Sequence, residues 1–299
     1  MTVYEVITNR IIALLEQGTA PWRKTWSAES RPRNLVSGKP YRGINVFLLL
    51  AAGGRFASPC WLTFRQALQA GGNVRKGEQG LPVVFWKPLD KSAGAQSDET
   101  EEQGRRRAPL LRYFTVFNVE QCDGLTAPAT ASRSFDPIPE AARIIAAMKN
   151  PPAISHGGDR AWYRPSTDAV RLPLPGSFIS PAHYYSTAFH ELAHSTGHGS
   201  RLDRKGITDE TMFGDHDYSR EELIAEMTAA FLCGSAGLDT ADVMDNTSAY
   251  LAHWIKVLRG DTRLVVTAAA AAQKAADHIL GTTFATTEEE SNSPALEAA

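Results

Sequence analysis

The chain has 299 residues, of which 43% are hydrophobic and 21% are charged, and its formal net charge at pH 7 is −2. This composition is that of a globular protein long enough for two domains, and it argues against a disordered, fibrous or membrane-spanning chain. Residues 1–125 contain 17 Lys and Arg against 11 Asp and Glu, a net charge of +6 that predicts contact with a polyanion, whereas the remainder is acidic.

The three cysteines, Cys60, Cys122 and Cys233, are far apart in the sequence and form no Cys-x-x-Cys pair. They predict neither a disulfide framework nor a cysteine zinc site, and they fit the reducing cytoplasm. The first residues lack the charged start and apolar core of a signal peptide. The longest apolar run, 44–52, is interrupted by Asn45 and is too short to span a bilayer. We therefore expect a cytoplasmic protein without a membrane partner.

The first half of the chain predicts a small α+β module. A Thr2 cap and apolar residues at helical spacing predict a helix over residues 2–17, which Gly18 ends. The polar and charged stretch 88–108 predicts a mobile loop between two antiparallel strands. The other predicted elements are helices at 46–53 and 64–70, strands at 61–63, 81–87 and 111–119, and a basic hairpin turn at 73–80.

Aromatic and basic residues occur together in the first half, as in Pro-Trp-Arg-Lys-Thr-Trp at 21–26. Surfaces that bind single strands combine rings, on which bases stack, with cations that contact phosphates. A small domain also needs its rings for the core, so burial of most of these aromatics is the competing interpretation. The predicted contacts to single-stranded DNA are Trp22, Arg23, Lys24, Trp26, Arg33, Asn34, Tyr41, Arg42, Asn45, Arg75 and Lys76.

The second half predicts a small sheet followed by long helices. The sheet comprises strands at 153–156 and 161–174 around a turn at 165–168, and its edge strand is suited to hold a peptide by backbone pairing. Residues 285–299 are acidic and small, and we expect them to be disordered. The predicted helices are 139–149, one that carries residues 190–194 and weakens at 195–197, 218–232, 248–258 and 262–280.

The motif His-Glu-x-x-His occurs at residues 190–194. Side chains four positions apart lie on one face of a helix, so His190 and His194 can aim their imidazoles at one metal ion. Glu191 falls beside that point, where a carboxylate can accept a proton from metal-bound water. We predict His190 and His194 as metal ligands and Glu191 as the catalytic base.

A catalytic zinc usually takes three protein ligands, so a third must be found. The metzincin pattern His-x-x-Gly-x-x-His fails because position 200 is Ser. His198 would face the metal only if the helix continued through Gly197, which disfavours helix. His216, in the polar loop 199–217, is an alternative ligand or transition-state donor, although a surface position is the simpler interpretation.

Two carboxylates on the predicted helix 218–232 are the stronger candidates. Projection at about 100° per residue places Glu226 nearer to the apolar stripe of this helix than Glu222. A carboxylate near a buried face is costly unless it is paired or binds a metal. We therefore predict Glu226 as the third ligand and Glu222 as a partner that orients a histidine, and the reverse assignment stays open. A His, His and distant Glu set is of the gluzincin type.

Taken together, these residues resemble the ArdC-type antirestriction proteins of conjugative plasmids and mobile elements. The resemblance extends over residues 1–283 and implies an α+β chain of two domains. These are a single-stranded DNA-binding domain at 1–125, a linker at 126–137 and a zincin-like metallopeptidase domain of the gluzincin type at 138–284. The stretches that carry it are 18–26, Asn34, 41–45, 61–63, Gly77, 185–198 and 221–226.

The resemblance implies an antirestriction protein that binds single-stranded DNA and protects incoming plasmid DNA during conjugation, with transfer to the recipient cell as a further expectation. Its peptidase site would hold Zn²⁺, or another divalent ion such as Mn²⁺ or Co²⁺, and would act on a protein substrate that the sequence does not identify. One alternative is a strand-masking protein whose metal site is structural or dispensable. Another is a toxin-like protease that needs no DNA.

Overall fold

The computed structural model of the chain describes most of the sequence, and every structural statement below refers to that part. The described residues are 1–18, 20–23, 31–52, 56–87, 110–128, 137–204, 207, 216–238 and 248–282. The predicted loop 88–108 and acidic tail 285–299 lie outside them, as does most of the predicted linker 126–137. Among the helices described, none is both long and apolar enough to cross a bilayer.

Helix α1, Val3–Glu16, begins the chain as predicted. Its first turn is closed by a capping box, in which Glu5 N–H donates to Thr2 Oγ1 at 3.2 Å and Thr2 N–H donates to Glu5 Oε2 at 2.6 Å. These bonds satisfy backbone donors at the helix start that would otherwise be unpaired. Ile7, Ile11 and Leu15 recur every four positions on one face, and that face is buried.

A four-stranded sheet forms the body of the first half. Its elements are β1 Arg33–Asn34, α2 Ile44–Ala52, β2 Cys60–Thr63, α3 Phe64–Gln69, β4 Leu81–Lys87 and β5 Leu110–Asn118. The strands follow the order β1-β2-β5-β4. Strands β4 and β5 are antiparallel, as predicted, with Val84 opposite Tyr113. Helix α2 packs against β4.

Residues 73–80 differ from the predicted hairpin turn. Asn73–Val74 forms a short strand, β3, which pairs antiparallel with β6, Cys122–Asp123. A strand of two residues is too short for an alternating pattern to reveal it. The turn itself is confined to the residues that follow, where Gly77 has a φ of +90°, a conformation that favours glycine.

The second half consists of a three-stranded sheet and a group of helices. Its elements are α4 Pro137–Ala147, β7 Ala153–His156, β8 Trp162–Arg164, β9 Ala169–Leu172, α5 Pro181–Ser195, α6 His216–Ala236, α7 Ser248–Gly260 and α8 Leu264–Leu280. The sheet order is β7-β9-β8, so β8 is an edge strand. Helix α5 packs on β8 and β9, which places the predicted hairpin beside the motif helix.

One continuous hydrophobic core joins the two halves of the chain. Phe47 of α2 stacks on Phe231 of α6 with 4.8 Å between the ring centroids. Trp22 meets Trp254 of α7 edge to face, with the centroids 6.0 Å apart. The two predicted domains therefore share part of their interior, and the first half packs directly on helix α6.

Candidate metal centre

Helix α5 presents the two motif histidines toward one point. Ser180 caps the helix, Pro181 occupies its first turn, and buried residues such as Phe189 and Leu192 anchor it in the core. The Nε2 atoms of His190 and His194 are 3.1 Å apart. The predicted pairing of these two imidazoles on one helix face is thus present in the structure.

Glu222 of α6 brings a carboxylate to the same point. Its Oε2 atom is 3.6 Å from His190 Nε2, and its Oε1 atom is 3.4 Å from His194 Nε2. These three residues form a group whose ligand atoms lie within 4.8 Å of one another. Ligand atoms about 2.0–2.2 Å from a tetrahedral zinc ion are roughly 3.3–3.6 Å apart. The separations and the donor set therefore fit a divalent metal ion.

Glu226, predicted as the third metal ligand, is hydrogen-bonded to Trp22 and Tyr250 and does not belong to the group formed by Glu222 and the histidines. Its Oε2 atom accepts a hydrogen bond from Trp22 Nε1 at 3.0 Å and another from the hydroxyl of Tyr250. The prediction failed because α6 has no single apolar stripe: Leu223, Ile224, Ala225 and Met227 are all buried, so apolar residues surround most of the helix. The geometry favours the reverse assignment, with Glu222 beside the histidines and Glu226 joined to Trp22.

Glu221 is a functional residue that the sequence analysis missed. Its Oε1 atom lies 3.5 Å from His194 Nδ1, the nitrogen that faces away from Glu222. Arg204 holds the carboxylate from the other side, with Nε donating to Oε2 at 3.0 Å. Burial alone would raise the pKa of Glu221, but the hydrogen bonds to His194 and Arg204 outweigh it and lower the pKa. An ionised Glu221 can therefore fix the orientation of His194.

Arg204 also ties the loop after α5 to the end of that helix. It donates to Thr196 Oγ1 at 2.6 Å and to the carbonyl oxygen of Ala193 at 2.9 Å. Gly197 permits this approach, because a Cβ atom there would lie 3.1 Å from Arg204 Nη2 and 2.6 Å from Ile207 Cγ1. The only sequence signals for this arrangement were Arg204 in the polar loop and the doubled glutamate at 221–222.

Replacing Arg204 with Met should destabilise the fold strongly. The change leaves the buried carboxylate of Glu221 without its cation, which costs about 3–5 kcal/mol. Arg259→Met is the matched control, because its pair with Glu16 is exposed on both sides and contributes at most about 1 kcal/mol. Chemical denaturation of both variants measures the difference. Equal losses in the two variants would contradict the role assigned to Arg204.

Glu191 directly follows His190 in the sequence, and its side chain is buried. Burial raises the pKa of its carboxyl, and the positive charge that His190 and His194 can carry only partly opposes this rise. Its carboxylate also accepts a hydrogen bond from the backbone of Tyr163 in edge strand β8. A carboxyl group with a raised pKa suits proton transfer near neutral pH.

Tyr218 is a second residue at this site that the sequence analysis did not identify. Its hydroxyl hydrogen-bonds to Glu222. Burial raises the pKa of this phenol, and the charges of Glu222 and Glu191 raise it further, so the phenol stays protonated and can act as a donor. A tyrosine one turn before a glutamate on the same helix was visible in the sequence, but nothing there linked it to the motif.

The alternative ligand His198 does not join the group in the described part of the chain. His198 lies beyond the end of α5, and its Nδ1 atom is 2.8 Å from Ser200 Oγ. The metal-ligand group found there contains His190, His194 and Glu222, without His198. His216 begins α6, and its side chain falls outside the described residues.

Three of the predicted DNA contacts are buried and cannot stack on or bind a strand directly. Trp22, Tyr41 and Asn45 are exposed by only 1%, 6% and 5%. For Trp22 and Tyr41 the competing interpretation, that most of the aromatics are buried, agrees with the structure, because rings in a small module are needed to fill its interior. Asn45 donates to the carbonyl oxygen of Val84 and accepts from its N–H, each at 2.7 Å, and so fastens α2 to β4.

The other predicted DNA contacts differ in exposure and in their hydrogen-bond and ion-pair partners. Asn34 closes its own turn by accepting from Ser37 N–H at 2.9 Å, and Arg42 forms an ion pair with Asp277 of α8. Arg75 is half exposed and pairs with Glu78 at 2.8 Å. Those that are partly or fully exposed are Arg33, Asn34, Arg42, Arg75 and Lys76; the side chain of Arg23 and the whole of Lys24 and Trp26 lie outside the described residues.

Replacing Asn45 with Ala should lower stability. The variant leaves the N–H and C=O of Val84 without their buried partners, and each unsatisfied group costs about 1–3 kcal/mol. The unfolding midpoint in urea measures this loss. A variant as stable as the parent protein, with weaker binding to nucleic acid, would instead restore Asn45 as a direct contact.

Comparison with protein-family models finds a match in each half of the chain. Residues 1–117 match the model described as the N-terminal domain of anti-restriction factor ArdC. Residues 139–271 match the model described as a zincin-like metallopeptidase.

Similar proteins include two curated DNA primases TraC of Escherichia coli, each 38% identical over 99% and 93% of this chain. The chain spans only 29% and 20% of the length of these two primases. The uncharacterised protein y4eC of Sinorhizobium fredii is 37% identical, and the alignment covers 92% of this chain and 90% of that protein.

Solved structures of the antirestriction protein ArdC from plasmid R388 are similar in fold and sequence. The Mn(II)-bound structure has a TM-score of 0.72 and 36% identity, and the match covers 94% of this chain and 98% of that one. The metal-free structure has a TM-score of 0.70 and 38% identity, with 93% and 97% covered. The likeness therefore extends over both halves of the chain.

Proposed function

Because this chain belongs to the family of ArdC antirestriction proteins, we propose that it binds single-stranded DNA with its first half and hydrolyses peptide bonds with its second. It acts in the cytoplasm and protects plasmid DNA that enters a cell during conjugation. DNA binding and peptide hydrolysis are each measured on the full chain to test this proposal, since either activity could be present without the other.

The observation that carries the peptidase part is the group formed by His190, His194 and Glu222, with Glu191 beside it. These three residues would hold the ion, and their nitrogen and oxygen donors suit Zn²⁺, Mn²⁺ or Co²⁺. When bound, a divalent ion supplies Lewis-acid polarisation of the scissile carbonyl and lowers the pKa of water.

The residues around the metal centre transfer protons and hold the metal ligands in place. Glu191 takes a proton from the attacking water and delivers it to the departing amine. Glu221 keeps His194 oriented, and Arg204 keeps Glu221 ionised. Edge strand β8 is suited to pair with the backbone of an extended peptide. It lies beside the proposed base, because the backbone of Tyr163 donates a hydrogen bond to the Glu191 carboxylate. The protein that supplies the peptide is of unknown identity.

The DNA-binding part is supported by the family model that matches residues 1–117 and by the excess of cations in residues 1–125. Nonspecific binding of single strands relies on phosphate neutralisation and on stacking. Such binding weakens steeply with salt, because each contacted phosphate releases a counterion.

Titration of a fluorescent oligonucleotide with the full chain tests this part. We expect binding of single strands, weaker binding of the matching duplex, and a logarithmic salt slope of about −0.7 for each contacted phosphate. The full chain is required because the two halves share one core. The absence of binding at low salt would contradict the proposal for the first half without affecting the peptidase part.

A further inference from the structure

Four large aromatic side chains are exposed at one end of the β4–β5 pair. Phe85, Trp86, Tyr113 and Phe114 have exposed fractions of 36%, 43%, 51% and 47%. Single exposed apolar residues are common on protein surfaces, but several neighbouring rings mark a place where something binds. The metal centre and the core do not use these rings.

The strand register divides these rings between two faces. Phe85 lies opposite Arg112, and Phe114 lies opposite Val83, so Phe85, Arg112 and Phe114 belong to the same face of the sheet. The ring centroids of Phe85 and Phe114 are 5.8 Å apart. On the other face, Trp86 lies 6.4 Å from the ring of Tyr4, which covers part of it.

The surface formed by Phe85, Phe114 and Arg112 is here called the ring platform, and Tyr41 adjoins it on the same face of the sheet. The ring of Tyr41 lies 6.4 Å from that of Phe85, and Tyr41 itself is buried against Trp61 and Val83. Rings fixed in this way lose little conformational freedom when a ligand stacks on them. The predicted contact Tyr41 thus adjoins a surface that the sequence analysis did not select.

The charge of the ring platform indicates which class of partner it binds. The sequences of β4 and β5 include the cations Lys87 and Arg112 and contain no Asp or Glu. Arg112 is exposed beside the two rings. A partner that offers flat π surfaces together with negative charge matches this combination, and a single-stranded nucleic acid has both in every nucleotide.

We propose that Phe85, Phe114 and Arg112 form the surface on which this protein stacks the bases and contacts the phosphates of single-stranded DNA. The inference rests on the proposed DNA-binding function and gives it a location. The rings hold successive bases without reading their sequence, and Arg112 contacts a phosphate alongside them.

The experiment uses the full chain and a labelled oligothymidylate, with Phe85→Leu and Phe114→Leu as the variants. Leucine keeps the apolar packing against Tyr41 and removes the ring. Each change should weaken binding by about 5- to 150-fold, the effect of losing one stacked base. Phe64→Leu is the matched control, since this phenylalanine is 49% exposed in the same half but lies on helix α3 and is not part of the ring platform. It should bind like the parent protein.

Arg112→Ala tests for a phosphate contact through the salt dependence of binding, which a purely structural role of Arg112 would leave unchanged. The logarithmic salt slope of single-strand binding should become shallower by about 0.7, the value for one phosphate contact.

If the parent protein binds single strands and the leucine and alanine variants bind equally well with an unchanged slope, the ring platform is not the binding surface. Variants with normal DNA binding but altered self-association in sedimentation would overturn the inference in favour of a protein interface. A parent protein that does not bind at all removes the DNA-binding function and the inference with it.

Discussion

Replacing Glu191 with Gln should abolish peptide hydrolysis while the metal stays bound. Glutamine keeps the size and hydrogen-bonding shape of the side chain but cannot accept the proton, and general-base catalysis contributes about 10²- to 10⁴-fold to the rate. Burial raises the pKa of Glu191, which brings the carboxylate closer to the basicity that the reaction needs. Hydrolysis of a peptide library and metal content measured on the same samples test this.

Glu226→Gln is the matched control for this experiment. It removes a carboxylate one turn beyond Glu222 on α6 and should leave both the metal and the activity in place, because Glu226 is engaged with Trp22 and Tyr250. Full hydrolysis by Glu191→Gln with metal present would remove Glu191 from its role. If the variant loses hydrolysis but still protects incoming DNA fully, strand binding suffices for antirestriction and the alternative of a masking protein is favoured.

Replacing Glu222 with Ala should empty the metal centre. The change removes the carboxylate that lies 3.4 Å from His194 Nε2 and 3.6 Å from His190 Nε2, and leaves only the two imidazoles. We expect metal affinity to fall by more than the ~10- to 100-fold that loss of a supporting partner costs. Competition with a chromogenic chelator measures the affinity.

Glu221→Gln serves as the comparison for Glu222→Ala. It keeps a hydrogen-bond acceptor near His194 Nδ1 but removes its charge, so metal affinity should fall only within the range for a supporting partner. Equal affinities for the parent protein and Glu222→Ala, with a loss in Glu226→Gln, would restore the assignment predicted from the sequence.

The motif and the helices that carry it could be predicted from the sequence because they depend on local spacing. His190 and His194 lie one turn apart whatever surrounds them, and a capping residue with helical periodicity located α1 closely. The motif also predicted a helix around it, but not that α5 begins as early as Pro181. The ArdC resemblance added the order of the two halves, which the comparisons bear out.

The third ligand could not be predicted by the same reasoning. Helical projection ranks carboxylates by their distance from an apolar face, and α6 is buried on most of its circumference. Which of Glu221, Glu222 and Glu226 meets the histidines depends on how α6 packs against α5 and on what Trp22 contributes from the other half. Both are long-range contacts that local periodicity does not encode.

The prediction of Trp22 and Tyr41 as DNA contacts is wrong for a related reason. Sequence shows where rings and cations occur together, but it does not show which rings fill the core. Trp22 and Tyr41 are buried, whereas Phe85 and Phe114 belong to strands whose alternation gave no reason to select them. Exposure of a ring at the end of a strand pair is decided by how far the neighbouring helix covers the sheet.

The most direct test of the metal centre is anomalous diffraction from crystals of this protein soaked in Mn²⁺. We expect one peak bounded by His190 Nε2, His194 Nε2 and a carboxylate oxygen of Glu222, each at roughly 2.0–2.2 Å from the ion. A peak coordinated by Glu226 with Glu222 turned away, or no ion between the two histidines, would contradict it.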